Sequence, residues 1–137
     1  MNWKRGVLIG TGLYAASFII GMLLILVSAN IDVNNPIILV GGLVGLTVLT
    51  ALFSLWYFMK ARAGWKEGLF LGLLFIVVGV VLDLIFIIIG GIINPSLFGE
   101  AFNYYISWQF WVSIVLVLLA STGVSYWKDN KSMRKRR

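Results

Sequence analysis

The sequence predicts an all-α membrane protein in which four transmembrane helices form one bundle. Hydrophobic residues make up 61% of the 137 residues, charged residues make up 12%, and the mean hydropathy is +0.99. Soluble domains average about 45–50% apolar and about 25% charged residues, and a chain this short cannot bury such an apolar excess. The apolar residues also fall into four long runs. A soluble enzyme, a disordered chain and a fibrous protein are therefore excluded.

The four apolar runs are each long enough to cross a bilayer, which takes about 20 mostly apolar residues. The predicted spans cover residues 7–29, 37–59, 68–93 and 104–127. The polar, turn-like interruptions between them cover residues 30–36, 60–67 and 94–103. Each span is predicted to be a helix, because a backbone in lipid must satisfy its own hydrogen bonds.

The basic residues indicate how these spans are oriented. All 11 Lys and Arg residues fall before the first span, between the second and third spans, or after the fourth. Cytoplasmic segments carry the excess of basic residues, so both termini are expected in the cytoplasm. The six tryptophans lie near span ends, as expected for residues at the membrane interface. A cleavable signal peptide is the alternative for the first span, although its apolar run is long for one.

The segments outside the spans suggest where partners bind. Anionic lipid headgroups are expected to contact six basic residues at the cytoplasmic face: Lys128, Lys131, Arg134, Lys135, Arg136 and Arg137. Residues 129–137 form a tail that is expected to be disordered. The tail is too short for a nucleic-acid module and contains no interleaved aromatic residue, so no nucleic-acid partner is expected. Residues 94–103 fit a short interfacial helix and are where a partner outside the cytoplasm would bind.

An internal repeat relates the first span to the third. The motif Trp3-Lys4-x-Gly6-x-x-x-Gly10 matches Trp65-Lys66-x-Gly68-x-x-x-Gly72. The second and fourth spans match more weakly, through Ser54-x-Trp56 and Ser125-x-Trp127. The simplest account is a duplicated two-helix hairpin within a single domain of residues 1–128. The copies would cover residues 1–61 and 62–128 and be related by an axis along the membrane normal.

Small residues recur at a spacing that places them on one face of each helix. Such faces let helix backbones approach closely in a membrane. Helix-packing contacts are predicted at Gly6, Gly10, Ser17, Gly21, Gly41, Gly45, Gly68, Gly72, Gly79 and Gly90. We expect a left-handed bundle with crossing angles near ~20°. The sequence leaves open whether these faces meet within the chain or between copies of it.

Asp83 is the only ionisable acid or base deep inside a predicted span. It lies about 12 Å below the outer boundary at the helical rise of ~1.5 Å per residue. A charge at depth costs about 2.5–3.5 kcal/mol even on the most lenient scale. Asp83 could be protonated and neutral, could bind a cation or water, or could share a proton with Asp83 of another copy. Its expected hydrogen-bond partners are Gln109 and Ser113, with Thr47, Tyr14 and Ser17 further in.

Several kinds of chemistry are excluded by composition. The chain has no cysteine and no histidine, which rules out disulfides, Cys/His zinc sites and histidine-based proton transfer. It also has neither a Walker loop nor a GxSxG elbow. We therefore expect no cofactor, no bound metal and no enzyme activity.

Three motifs carry a resemblance to other proteins. They are Trp56-Tyr57-Phe58, Trp65-Lys66-Glu67-Gly68-x-x-x-Gly72 and Leu82-Asp83-Leu84. With them, the chain resembles small four-span membrane proteins of prokaryotes over most of its length. The resemblance implies the four-span fold and a prokaryotic plasma membrane, and it brings no activity to transfer. Four-span multidrug transporters are similar only in outline, because the first span here lacks their acidic residue.

Three classes of function are compatible with these features. The first is a non-enzymatic bundle that acts by helix packing, as an accessory, assembly or scaffold subunit, in a homo-oligomer or with another membrane subunit. The second is a small proton- or cation-linked transporter or channel that uses Asp83. The third, a membrane enzyme, has the least support because a lone buried acid lacks a nucleophile and a metal-ligand set.

Overall fold

The computed structural model describes residues 2–28 and 36–134, and this part of the chain is helical with no strand. Five helices follow one another: α1 (Trp3–Ser28), α2 (Pro36–Phe58), α3 (Trp65–Ile93), α4 (Ser96–Ile106) and α5 (Trp108–Arg134). Four of them, α1, α2, α3 and α5, are long and apolar enough to cross a membrane. The predicted all-α fold with a four-helix membrane bundle is confirmed.

The predicted tail is helical rather than disordered over residues 129–134, because α5 continues through Arg134. Extending an existing helix adds a hydrogen bond per residue without a new nucleation cost. The Lys131 ammonium also lies 5.0 Å from the centre of the Trp127 ring, a cation–π contact that favours the extension. Lys135, Arg136 and Arg137 lie outside the described residues, as do residues 30–35 of the predicted interruption over residues 30–36.

The predicted fourth span begins too early. Residues 104–106 belong to the short helix α4, and the membrane helix α5 begins only at Trp108. Ser107 separates the two helices with an extended backbone, and its side chain hydroxyl donates to the Tyr104 carbonyl at 2.6 Å. A short helix is therefore present where residues 94–103 predicted one, but it covers Ser96–Ile106.

The four long helices form a ring in which α1 packs on α2, α2 on α5, α5 on α3 and α3 on α1. Corresponding helices of the two hairpins are thus neighbours, α1 beside α3 and α2 beside α5. A two-fold axis along the membrane normal through the centre of the ring would instead place α1 diagonally opposite α3, and α2 diagonally opposite α5. The helix neighbours therefore do not fit the predicted two-fold axis.

Most of the predicted small-residue positions pack within the chain. A Cβ added at Gly68 or Gly72 would meet α5, one added at Gly41 or Gly45 would meet α1, and one added at Gly6 or Gly10 would meet α3. Gly68 and Gly72 lie against the α5 backbone, whereas the other four glycines make room for side chains of a neighbouring helix in the same chain.

The other predicted packing positions behave differently. A Cβ added at Gly21 or Gly79 would meet nothing within 4 Å. The Gly90 carbonyl accepts the Asn94 N–H at 2.8 Å near the end of α3. Ser17 has a buried hydroxyl without a hydrogen-bond partner among the described residues. Gly21 and Gly79 therefore do not form close helix contacts.

The two chain ends meet at the same end of the bundle, around the C-terminus of α2. The Arg5 guanidinium donates to the Trp56 carbonyl at 2.9 Å, and the Lys128 ammonium donates to the Phe58 carbonyl. The last carbonyls of a helix have no partner within it, and cations stabilise them. Helix α4 lies at the opposite end, where the chain passes from α3 to α5.

Candidate functional site

The carboxylate of Asp83 is held by two tyrosines from different helices. The Tyr14 hydroxyl on α1 donates to Asp83 Oδ1 at 2.5 Å, and the Tyr105 hydroxyl on α4 approaches Oδ2 at 3.4 Å. Asp83 itself is only half-buried. The two tyrosine contacts direct its side chain toward protein groups. Within the described part of the chain, Asp83 has no Lys or Arg partner.

Aromatic contacts fix the position of Tyr14. The Phe86 ring, on α3 one turn beyond Asp83, stacks on both Tyr14 and Phe18, with ring centres 6.2 and 6.3 Å apart. Tyr14 and Phe18 are four residues apart on α1, so they share one face of that helix. This stack sets the register between α1 and α3 and brings the Tyr14 hydroxyl to the carboxylate.

A second aromatic cluster positions α4. The Phe110 ring on α5 makes edge-to-face contacts with Tyr105 at 4.9 Å and Tyr104 at 5.7 Å between ring centres. A Cβ added at Gly91 would collide with the Phe98 ring, so a residue without a side chain lets α4 lie against α3. These contacts hold Tyr105 near Asp83 although α4 is short.

A cavity of about 300 Å³ lies beside Asp83 and is lined by all five helices. Its wall is mostly aliphatic and aromatic, and Asp83 is the only acid among the lining residues. The lining residues are Gly10, Leu13, Tyr14, Ser17, Phe18, Leu46, Phe75, Ile76, Gly79, Val80, Asp83, Tyr104, Phe110, Ser113, Ile114 and Val117.

Two features of the wall bear on what the cavity can hold. The Ser17 hydroxyl is buried and has no hydrogen-bond partner among the described residues. Gly79 is one turn before Asp83 on α3, and a Cβ there would enter open space. The Ser17 hydroxyl therefore keeps its hydrogen-bonding capacity, and the space beside Gly79 leaves room for an occupant of the cavity.

The sequence-predicted partners of Asp83 are only partly brought together. Ser17 and Ser113 line the cavity, but the Ser113 hydroxyl donates to the Phe110 carbonyl at 2.7 Å. Thr47 and Gln109 are not lining residues, and the Thr47 hydroxyl donates to the Leu43 carbonyl at 2.8 Å.

Sequence reasoning missed Tyr104 and Tyr105. Tyr104 was expected as the first residue of the fourth span, and Tyr105 as part of that span. The signal that could have revealed them is the tyrosine pair itself, at the point where an aromatic interface residue is expected.

The two α4 tyrosines are unusually weak acids. Burial and the neighbouring Asp83 carboxylate together raise the pKa of Tyr105 to about 12, with burial the larger cause. Partial burial and Asp83 also raise the pKa of Tyr104. Both hydroxyls therefore stay protonated near neutral pH, and that of Tyr105 can donate to the carboxylate.

The site combines one carboxylate, weakly acidic hydroxyls and an apolar wall. The described residues contain no group of three His, Cys, Asp or Glu side chains that could together hold a metal ion. The arrangement is suited to exchanging a proton or one positive charge at Asp83. Comparison with family models, curated proteins and solved structures finds no match to this chain.

Proposed function

We propose that this protein is a small proton- or cation-linked transporter in which Asp83 binds the transported or coupling charge. The observation that carries the proposal is a carboxylate beside a cavity of about 300 Å³ with no basic partner among the described residues. A carboxylate in surroundings of low polarity favours a proton or a bound cation, because an uncompensated charge there is costly. Exchange between these two states would couple proton movement to cation movement.

The packing function has less support. An accessory or scaffold subunit would present its small-residue faces to a partner, whereas Gly6, Gly41 and Gly68 contact helices of the same chain. An aspartate that served only to join helices would be expected in a closed contact. The cavity beside Asp83 and the open space at Gly79 favour a binding role instead.

The proposed orientation places the two chain ends in the cytoplasm of a prokaryotic cell. It is supported by the basic residues that gather at that end of the bundle, following the positive-inside rule. Those described are Lys4, Arg5, Lys60, Arg62, Lys66, Lys128 and Lys131. The same residues would contact anionic lipid headgroups. Asp83 would then lie nearer the outer surface, on the side of α4.

We also propose that the two hairpins arose by duplication. The support is that Thr50 and Ser54 on α2 and their counterparts Ser121 and Ser125 on α5 all have 0% exposure. Helices α1 and α3 also begin at the matching residues Trp3 and Trp65. Small polar residues buried at matching positions of both hairpins are what a duplication would leave.

Reconstituted vesicles test the transport proposal. Liposomes with an acidic interior and an internal pH dye would receive external K⁺ or tetramethylammonium, and the rise in internal pH would be followed. We expect cation-driven proton release from vesicles that contain the wild-type chain, and none with Asp83→Asn. The matched control Asp129→Asn removes an acid outside the cavity and should behave as wild type. Equal proton release with and without the Asp83 carboxylate would refute the proposal.

A further inference from the structure

We infer that the cavity binds an organic monocation, such as a quaternary ammonium or protonated amine with an apolar body, in preference to an inorganic ion. The inference rests on the proposed function and names the class of ligand for the same site. It follows from the charge of the cavity, its oxygen content, its aromatic wall and the space beside Gly79.

The charge of the wall matches a single positive charge. Asp83 is the only Asp, Glu, Lys or Arg among the lining residues, and both of its described hydrogen-bond partners are tyrosine hydroxyls. A dication would keep an uncompensated positive charge in surroundings of low polarity. A neutral molecule would leave the carboxylate without a counter-charge.

The wall provides few oxygen atoms for a bare inorganic ion. Ca²⁺ takes about 6–8 oxygen ligands and Mg²⁺ requires near-ideal octahedral geometry. The Tyr14 hydroxyl already donates to Asp83, and the Ser113 hydroxyl already donates to the Phe110 carbonyl. The Ser17 hydroxyl is the lining group left without a partner among the described residues. Apart from the Asp83 carboxyl, the side-chain oxygens of the wall are the hydroxyls of Tyr14, Ser17, Tyr104 and Ser113, whereas Ca²⁺ and Mg²⁺ bind mainly carboxylate, carbonyl and water oxygens.

Aromatic rings in the wall can stabilise an organic cation by cation–π contacts. Five lining residues are aromatic: Tyr14, Phe18, Phe75, Tyr104 and Phe110. A cation near the face of such a ring is attracted by the ring quadrupole, and the attraction increases when water is excluded. The volume of about 300 Å³ also lies at the lower end of the range for small-molecule sites.

Gly79 offers a way to fill the cavity without removing charge. A side chain there would enter open space beside Asp83, and an equivalent open position occurs at Gly123, which does not line the cavity. Gly79→Leu should therefore displace a ligand by occupying its volume. Gly123→Leu adds the same atoms to the same chain and leaves the cavity empty.

The experiment measures binding of benzyltrimethylammonium to the full chain in lipid nanodiscs by titration calorimetry. We expect the wild-type chain and Gly123→Leu to bind with equal affinity, and Asp83→Asn and Gly79→Leu to bind at least about tenfold more weakly. An equal concentration of K⁺ should not compete. Helix content and elution volume of each variant show that it is folded, and Gly79→Val replaces Gly79→Leu if the latter is not.

Two results would overturn the inference. One is Asp83-dependent binding of K⁺ with no binding of benzyltrimethylammonium. That result would exclude the organic ligand but would still agree with cation-linked transport. The other is benzyltrimethylammonium binding that Asp83→Asn and the Gly79 variants leave unchanged, because the ligand would then lie elsewhere. The transport proposal fails on a different result, namely proton release from the vesicles that does not depend on Asp83.

Discussion

Replacing Gly68 with alanine tests how closely α3 and α5 approach. The new methyl group would lie 2.7 Å from Ser125 Cβ, 2.8 Å from Thr122 Cα and 2.9 Å from the Ser121 carbonyl oxygen. Two of these atoms belong to the α5 backbone and cannot move aside alone, so the helices must separate. Overpacking of this kind costs about 1–3 kcal/mol.

Gly79→Ala is the matched control, because its methyl group would meet nothing within 4 Å. Both substitutions gain a similar helix propensity, about 1 kcal/mol in favour of alanine in water, so this gain largely cancels in the comparison. Gly68→Ala should therefore be less stable than Gly79→Ala by about 1–3 kcal/mol.

The assay is equilibrium unfolding of each variant in mixed detergent micelles with increasing dodecyl sulfate, followed by tryptophan fluorescence. The free energies of unfolding of the two variants are compared directly. If Gly68→Ala proves as stable as Gly79→Ala, then α3 and α5 are not in backbone contact at Gly68, and the account of the glycine contacts is wrong.

Three further predictions concern the tyrosines and α4. Tyr105, with its pKa raised from 10.0 to about 12, should contribute a stabilisation that is complete below pH 10 and lost as the pH rises through 12. A difference titration of tyrosinate absorbance between wild type and Tyr105→Phe checks this, and a midpoint at 10 would contradict it. Gly91→Ala should push Phe98 and α4 away from α3 and lower that midpoint toward 10; an unchanged midpoint would show that α4 does not depend on this contact. Tyr14→Phe removes the hydroxyl 2.5 Å from Asp83 and should lower the free energy of unfolding by about 0.6–1.7 kcal/mol; no change in the dodecyl sulfate titration would argue against that hydrogen bond.

The membrane helices, and the face of α3 that carries Asp83, could be predicted because both depend on patterns along the sequence alone. Hydropathy defines a span whatever its neighbours are, and a period of 3.6 residues places Asp83 on the same face as Gly79. The break at Ser107 could not be predicted in this way. Aromatic and aliphatic residues flank it on both sides, and the turn depends on one serine hydroxyl bonding back to Tyr104.

The site was predicted only in part, because depth along a helix does not give direction around it. On α2 the cavity is lined by Leu46 rather than Thr47, and on α5 by Phe110 rather than Gln109. Each error is a single residue, which is about 100° of rotation on a helix. The side-by-side placement of α1 with α3 and of α2 with α5 was equally hidden, since different arrangements of two hairpins preserve the same contacts within each hairpin.

The central claim, that the Asp83 cavity attracts cations, is tested most directly by a single thiol. The chain has no cysteine, so Gly79→Cys introduces the only reactive sulfur and places it in the cavity wall. Labelling rates are compared for a trimethylammonium-bearing and a sulfonate-bearing methanethiosulfonate, with Gly123→Cys as the control outside the cavity. We predict that the cationic reagent reacts with Gly79→Cys at least about tenfold faster and that Asp83→Asn abolishes the difference. Equal rates for the two reagents, or a cation preference that survives Asp83→Asn, would contradict the account.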